Sequence, residues 1–289
     1  MSVGYTGYAT LTFDSNLYYL LLTSEGIARG RTSLATAGAA RHLYDIAGSS
    51  YLYDVDRYEG PVAFELNAHT WALVKDMVLA ENRAETFTLF VQPEVGESFT
   101  YNDCHWTSIS FSGSEGAFVT CEIAVLSFDR DDASNANRYI SPAAWGGDPS
   151  AWSANREPIP YWMTSVLSSE FADYELLSWN VNIDNALADF NVCQNVAIGE
   201  PAPAPLLERP GRAQTAFTGN FWGSGEPADA VVECEVQINN PAGGVLGYLR
   251  VYDVEVDAAT KNIVGKSEPV AFERTYTSFG RYVDALDTT

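Results

Sequence analysis

The side chains best suited to chemistry are three histidines (His42, His69, His105), four cysteines (Cys104, Cys121, Cys193, Cys234) and a large excess of carboxylates. Cys104 and His105 nominally offer a thiol–imidazole dyad. Neighbours on one strand point to opposite faces, so these two cannot meet within a strand. His69 falls in the first turn of a predicted helix, and each histidine reads as a surface or interface residue. The cysteines contain no C-x-x-C pair. Cys121 and Cys234 sit at apolar strand positions, where a free cysteine behaves as a small hydrophobe. Buried free thiols in a reducing compartment are therefore expected. Asp129, Asp131 and Asp132 lack the central glycine and distal glutamate of a calcium loop, and read as a solvated acidic segment. No P-loop, dinucleotide-binding glycine motif or nucleophile elbow occurs. The sequence leaves open a two-carboxylate glycosidase, whose acids can lie far apart in a chain. The tryptophans would suit sugar stacking, but Trp71 and Trp179 lie on apolar faces and read as core. No catalytic residue, cofactor or metal is expected.

The balance of charge narrows the class further. The formal charge is −22, and Lys75, Lys261 and Lys266 are the only lysines. Tight phosphate binding needs clustered Lys and Arg, so specific nucleic-acid binding is disfavoured. No apolar run approaches the roughly 18–20 residues that span a bilayer. The start, MSVGYTGYATLTFD, lacks the basic and apolar regions of a signal peptide, which predicts a cytoplasmic origin.

The elements that must position these groups are mostly strands. Leu177, Trp179, Val181 and Ile183 alternate with Ser178, Asn180, Asn182 and Asp184, the mark of a strand with one buried face. Val232, Cys234, Val236 and Ile238 form a second such set. Others are Ala9, Leu11 and Phe13; Val62, Phe64 and Leu66; and Val119, Cys121, Ile123 and Val125. A one-residue slip would expose each set, so register is well specified. One helix is predicted over 68–83. Asn67 is its N-cap, Leu66 and Trp71 form a hydrophobic staple, and Trp71, Val74 and Val78 recur at helical spacing.

The order of segments occurs twice. TLTFDSN (10–16) resembles NVNIDNA (180–186), and RYEGPVAFELN (57–67) resembles RAQTAFTGN (212–220). TLFVQP (88–93) resembles VQINNP (236–241), and the hairpins 104–128 and 252–279 both end Ser-Phe. The expected architecture is therefore mainly β, with two tandem related β-sandwich or rolled-sheet domains and one short helix. Their predicted bounds are 1–131 and 170–289. An irregular, Ser-, Asn-, Pro- and Gly-rich connection (132–169) joins them.

The succession FTYNDCHWTSISFSGSEGAFVTCEIAVLSF, LLSWNVNIDNAL and PGRAQTAFTGNFWG resembles the major tail tube proteins of tailed bacteriophages, over roughly 44–279. The resemblance implies a tail-tube-like domain, without catalytic residues, that closes into rings with a six-fold wall. The rings, hexameric or pseudo-hexameric trimers, stack into the hollow tail tube of a virion. The expected partners are further copies of the chain, the tape-measure protein and genomic DNA in the lumen, and a sheath protein if the tail contracts. An acidic bore would repel DNA and leave it mobile, since duplex DNA carries about one charge per 1.7 Å of axis. Single-domain walls being the commoner arrangement, the hexamer is slightly favoured. Two long loops, 23–58 and 195–211, could reach a neighbouring ring, the first carrying Arg29, Arg31 and Arg41. The alternatives are a terminator, baseplate hub or decoration protein of the same fold, or a carbohydrate-binding or hydrolysing β protein.

Overall fold

A computed structural model describes residues 8–31, 56–79, 82–94, 97–131, 157–166, 171, 173–187, 214–223, 230–262, 270–278 and 286–287. The chain is mainly β, with one α-helix among the described residues. The N-terminal half contributes β1 (Tyr8–Phe13), β2 (Asn16–Glu25), β3 (Ala28–Arg31), β4 (Asp56–Glu65), α1 (Ala68–Val78), β5 (Phe87–Glu94), β6 (Glu97–Ser114), β7 (Thr120–Ser127) and β8 (Asp129–Asp131). A 3-10 turn at Tyr161–Met163 then leads into β9 (Thr164–Val166). The C-terminal half adds β10 (Glu175–Asp184), β11 (Gln214–Gly223), β12 (Ala230–Asn239), β13 (Val245–Asn262), β14 (Val270–Ser278) and β15 (Leu286–Asp287).

All pairings are antiparallel, and in the N-terminal half they form a closed circuit: β1 to β2, β4, β7, β6, β5 and back to β1. Two strands turn the corners. β2 pairs β1 through 16–20 and β4 through 21–25. β6 pairs β5 through 97–104 and β7 through 105–112, with Asp103 in the left-handed region (φ 46°) near the changeover. The C-terminal half follows the same order: β10 pairs β11, β11 pairs β14, β14 pairs β13, β13 pairs β12, and β12 pairs β9. The short β8 and β15 lie against β6 and β13 in matching positions. β9 does not pair with β10, but side chains tie the two together. The Tyr161 hydroxyl donates to the Leu176 carbonyl, and Trp179 Nε1 donates to Thr164 Oγ1 at 3.1 Å.

The strand parity read from sequence is observed. Trp179, Val181, Ile183, Cys234, Val236 and Ile238 are buried, as are Ala9, Leu11, Phe13, Val62, Phe64, Leu66, Val119, Cys121, Ile123 and Val125. Leu177 is only half-buried, because a bulge between Leu176 and Ser178 interrupts the alternation. The side chain of Val232 lies outside the described residues.

The helix starts where expected. Asn67 Oδ1 accepts from Thr70 N at 2.9 Å, and Thr70 Oγ1 accepts from Asn67 N at 3.0 Å. Leu66 and Trp71 are both buried. It ends at Val78 rather than 83, since Leu79 is extended (ψ 140°) and Asn82 Nδ2 donates to the Asp76 carbonyl at 2.8 Å. Trp71 reaches across to the C-terminal half, where the backbone of Gly247 lies so close that a Cβ would stand 2.6 Å from the indole. One apolar core therefore runs through both halves.

Three expectations are corrected. The connection is not irregular throughout: Tyr161–Met163 is a 3-10 turn and Thr164–Val166 a strand, while Ile159 before them is fully buried, its N–H donating to the Leu66 carbonyl at 2.9 Å and its carbonyl accepting from Val119 N at 2.8 Å. The stretch 23–58 is not wholly a loop, because the end of β2, all of β3 and the start of β4 occupy parts of it. The match of 10–16 with 180–186 also fails. Asp14 follows β1, which pairs β2 and β5, whereas Asp184 ends β10, whose pairing with β11 corresponds to that of β2 with β4. Short alternating strands look alike in sequence; their partners distinguish them.

Candidate functional site: a polar sheet face crossing both halves

The two halves join by strand pairing. The end of β6 lies antiparallel to β10, from Ser114 opposite Ser178 to Ser108 opposite Asp184. The sheet consequently runs unbroken through β4, β7, β6, β10, β11 and β14. Its inner face is the apolar core. Its outer face is built from the alternate residues, and these line up in rows across the strands. One row reads Glu65, Thr120, Ser112, Asn180, Thr218 and Thr275. The next reads Ala63, Glu122, Ser110, Asn182, Ala216 and Thr277. A third carries Ser114, Ser178, Asn220 and Glu273. Five inter-strand spacings make this face about 24 Å wide.

The physical reason for such a surface lies in the pattern itself. Short hydroxyls satisfy one another laterally, as in the Ser112–Thr120 contact at 2.7 Å and the Thr218–Thr275 contact at 3.1 Å. Cross-strand Thr and Ser pairs of this kind add modestly to sheet stability. The charges in the three rows are carboxylates: Glu65, Glu122 and Glu273. Asp184, at the end of β10, adds another, and none of the residues named in the rows is basic. Burial pushes the Glu65 carboxyl above its ordinary value. At the margin on β4, Arg57 is paired with Glu59 at 2.8 Å. The surface is therefore polar, shallow and acidic, and among the described residues it carries no cluster of positive charge for phosphate.

Close packing beneath the face fixes the junction. Gly113 on β6 and Gly219 on β11 flank Trp179 on its two sides. A Cβ at Gly113 would meet the indole at 2.7 Å. A buried polar hub closes one end. Arg83 Nε donates to Asn185 Oδ1 at 2.8 Å and Arg83 Nη2 to the Asn185 carbonyl at 2.8 Å. Asn185 Nδ2 donates to the carbonyls of Arg83 and Trp106, each at 3.0 Å. Asn185 belongs to the Ile-Asp-Asn segment singled out in the sequence. Arg83 was missed, since a lone arginine after a helix carries no local signal.

Among the described residues, the reactive groups do not assemble on this face. Its groove, about 410 Å³, is lined by Ser112, Asn180, Thr218, Asn220 and others, with Glu273 as its one ionisable side chain among the described residues. Burial pushes the Cys104 thiol up to about 12 and holds Cys121 well above its ordinary value. Cys104, Cys121 and Cys234 are free and buried. No group of three or more His, Cys, Asp or Glu with metal-binding geometry occurs among the described residues. A second groove of about 540 Å³ is lined by Trp162, Tyr161, Tyr174, Glu115 and Glu175, and Trp162 is 74% exposed.

Of the sequence-predicted assembly residues, Arg29 and Arg31 lie on β3, which pairs only with β4 among the described strands. Arg29 is exposed. Arg41, Cys193, His42 and the loop 195–211 fall outside the described residues. No family model matches the chain, and no curated protein matches it.

Proposed function

We propose that the chain is a self-assembling structural subunit of a phage tail tube, and that the polar face described above lines its bore. The carrying observation is a continuous, acidic sheet face to which both halves contribute, with one open groove lined by short polar side chains. A surface that conducts DNA must offer no foothold to phosphate, and carboxylates among short polar side chains meet that need. The tape-measure protein would slide on the same surface. In this reading the matching strand orders reflect two tandem related domains that pack edge to edge, 1–131 and a second that takes in β9 (Thr164–Val166) as well as 170–289. With β6 and β10 joining them within one sheet, both domains would stand in the wall, and a six-fold wall would take three chains. The β6–β10 pairing thus supports the trimeric ring over the hexamer.

Electron microscopy of purified protein at increasing concentration tests the reading. Rings or hollow tubes are expected. A monodisperse monomer at every concentration would overturn it. The groove beside exposed Trp162, with Glu115 and Glu175, supports a second reading as a carbohydrate-binding protein. Retention on immobilised glycans, lost in Trp162→Ala, would favour that reading instead.

A further inference from the structure

The junction between the two halves shows how this sheet extends, and among the described strands there is one open edge of each kind needed to repeat it. At the junction, the C-terminal part of β6 is paired on one side by β7 and on the other by β10. β13 occupies the corresponding place in the C-terminal half. Val254 and Glu255 pair with both β12 and β14, which therefore flank β13 on opposite sides. Beyond them, Val256–Asn262 pairs with β14. On its other side, where β6 receives β10, no described strand pairs with it. The second edge belongs to β2, the counterpart of β10. Its residues Leu21–Glu25 pair with β4, as β10 pairs with β11. On the side where β10 receives β6, no described strand pairs with this stretch. Thr23 and Ser24 there are exposed.

We infer that copies of this chain join by antiparallel pairing of 256–262 of one copy with 21–25 of the next, repeating the β6–β10 junction between molecules. The internal junction shows that this sequence tolerates such a pairing as a folded interface rather than an aggregation hazard. A heterologous, head-to-tail contact of this kind closes into a ring or runs on as an open assembly, and leaves no self-paired dimer as an end state. Each copy offers one strand of each type, so neither edge is left over inside a closed ring. The polar face would continue across the contact as it continues from β6 to β10. The occupant of each edge is thus a second copy of this chain. The inference deepens the tube reading by naming its lateral contact, and it also holds for any ring of these chains.

Single cysteines placed on the two edges test it. Thr23→Cys and Ser24→Cys are prepared on one edge, and Ala258→Cys, Ala259→Cys and Thr260→Cys on the other. Each β2 variant is mixed with each β13 variant under mild oxidation. Facing residues in antiparallel strands place Cβ atoms close enough for a disulfide to form with little adjustment. A covalent heterodimer is expected from at least one mixture, at several-fold higher yield than from either variant alone. Heterodimers in no combination, while microscopy shows rings or tubes, would overturn the edge pairing and leave the tube reading standing. Cross-linked heterodimers without any higher assembly would support the pairing and overturn the tube.

Discussion

Replacing Gly113 with alanine probes the seam between the halves with a single methyl group. That Cβ would stand 2.7 Å from Cε2 and Nε1 of Trp179 and 2.9 Å from Cζ2. The indole is 2% exposed and lies opposite Gly113 in the β6–β10 register, so it has no solvent to move into. Overpacking of this kind costs about 1–3 kcal/mol. A shift of the ring would also weaken its hydrogen bond to Thr164, a loss of about 0.5–1.5 kcal/mol. Against this, removing a glycine lowers unfolded-state entropy and returns about 0.4–1 kcal/mol. The expected net loss is about 1–3 kcal/mol, read as a lower urea midpoint at unchanged slope. Trp179→Ala alone should cost about 3–5 kcal/mol. In that background the added methyl has a space to enter, so Gly113→Ala should become neutral or mildly stabilising. The double-mutant cycle then shows a coupling of about 1–3 kcal/mol between the two sites. Additive losses, or an unperturbed Gly113→Ala single variant, would refute the contact and with it the described packing of the seam.

Thiol titration should find Cys104, Cys121 and Cys234 unreactive until the chain unfolds, because burial suppresses the thiolate. Rapid labelling of any of them in native protein would contradict the core assignment. The pH dependence has a defined sign at His105, whose pKa is lowered chiefly by burial and partly restored by Asp103. The unfolded chain takes up this proton near its ordinary value of about 6.5 while the folded chain resists, so stability should fall as pH drops through that value toward the folded pKa. His105→Gln should flatten that part of the profile; an unchanged slope would place the titrating group elsewhere. Glu65 acts in the opposite direction at lower pH, since its raised pKa lets the folded chain bind the proton first.

Much of the fold was legible because β structure writes its buried face into alternate residues. Trp179, Val181 and Ile183 announced themselves, as did the Asn67 cap and the Leu66–Trp71 staple. The polar rows were legible strand by strand through Ser178, Asn180 and Asn182. Their joining into one face was not, because strand neighbours are set by contacts between residues far apart in sequence. The same limit explains the misassigned match of 10–16 with 180–186. It also explains why Arg29 and Arg31 read as loop residues although β3 is a four-residue strand. Ile159 went unnoticed inside a polar stretch: one isolated apolar residue has no periodicity, and only Leu66 and Val119 reveal its place. The recurrence of Ala63-Phe64 and Ala216-Phe217 likewise hides a shift. Phe64 pairs with Cys121, six residues before Ser127, but Phe217 pairs with Tyr276, two before Ser278. Strand order repeats between the halves while residue register does not.

The account stands most directly on where the polar face lies in the assembly, and a helical reconstruction from electron micrographs at side-chain resolution measures that. The prediction is a hollow tube whose innermost side chains include Ser110, Ser112, Asn180, Asn182 and Thr218, with Trp179 behind them in the wall. A tube whose bore is lined by other surfaces, with this face turned outward to solvent, would contradict it.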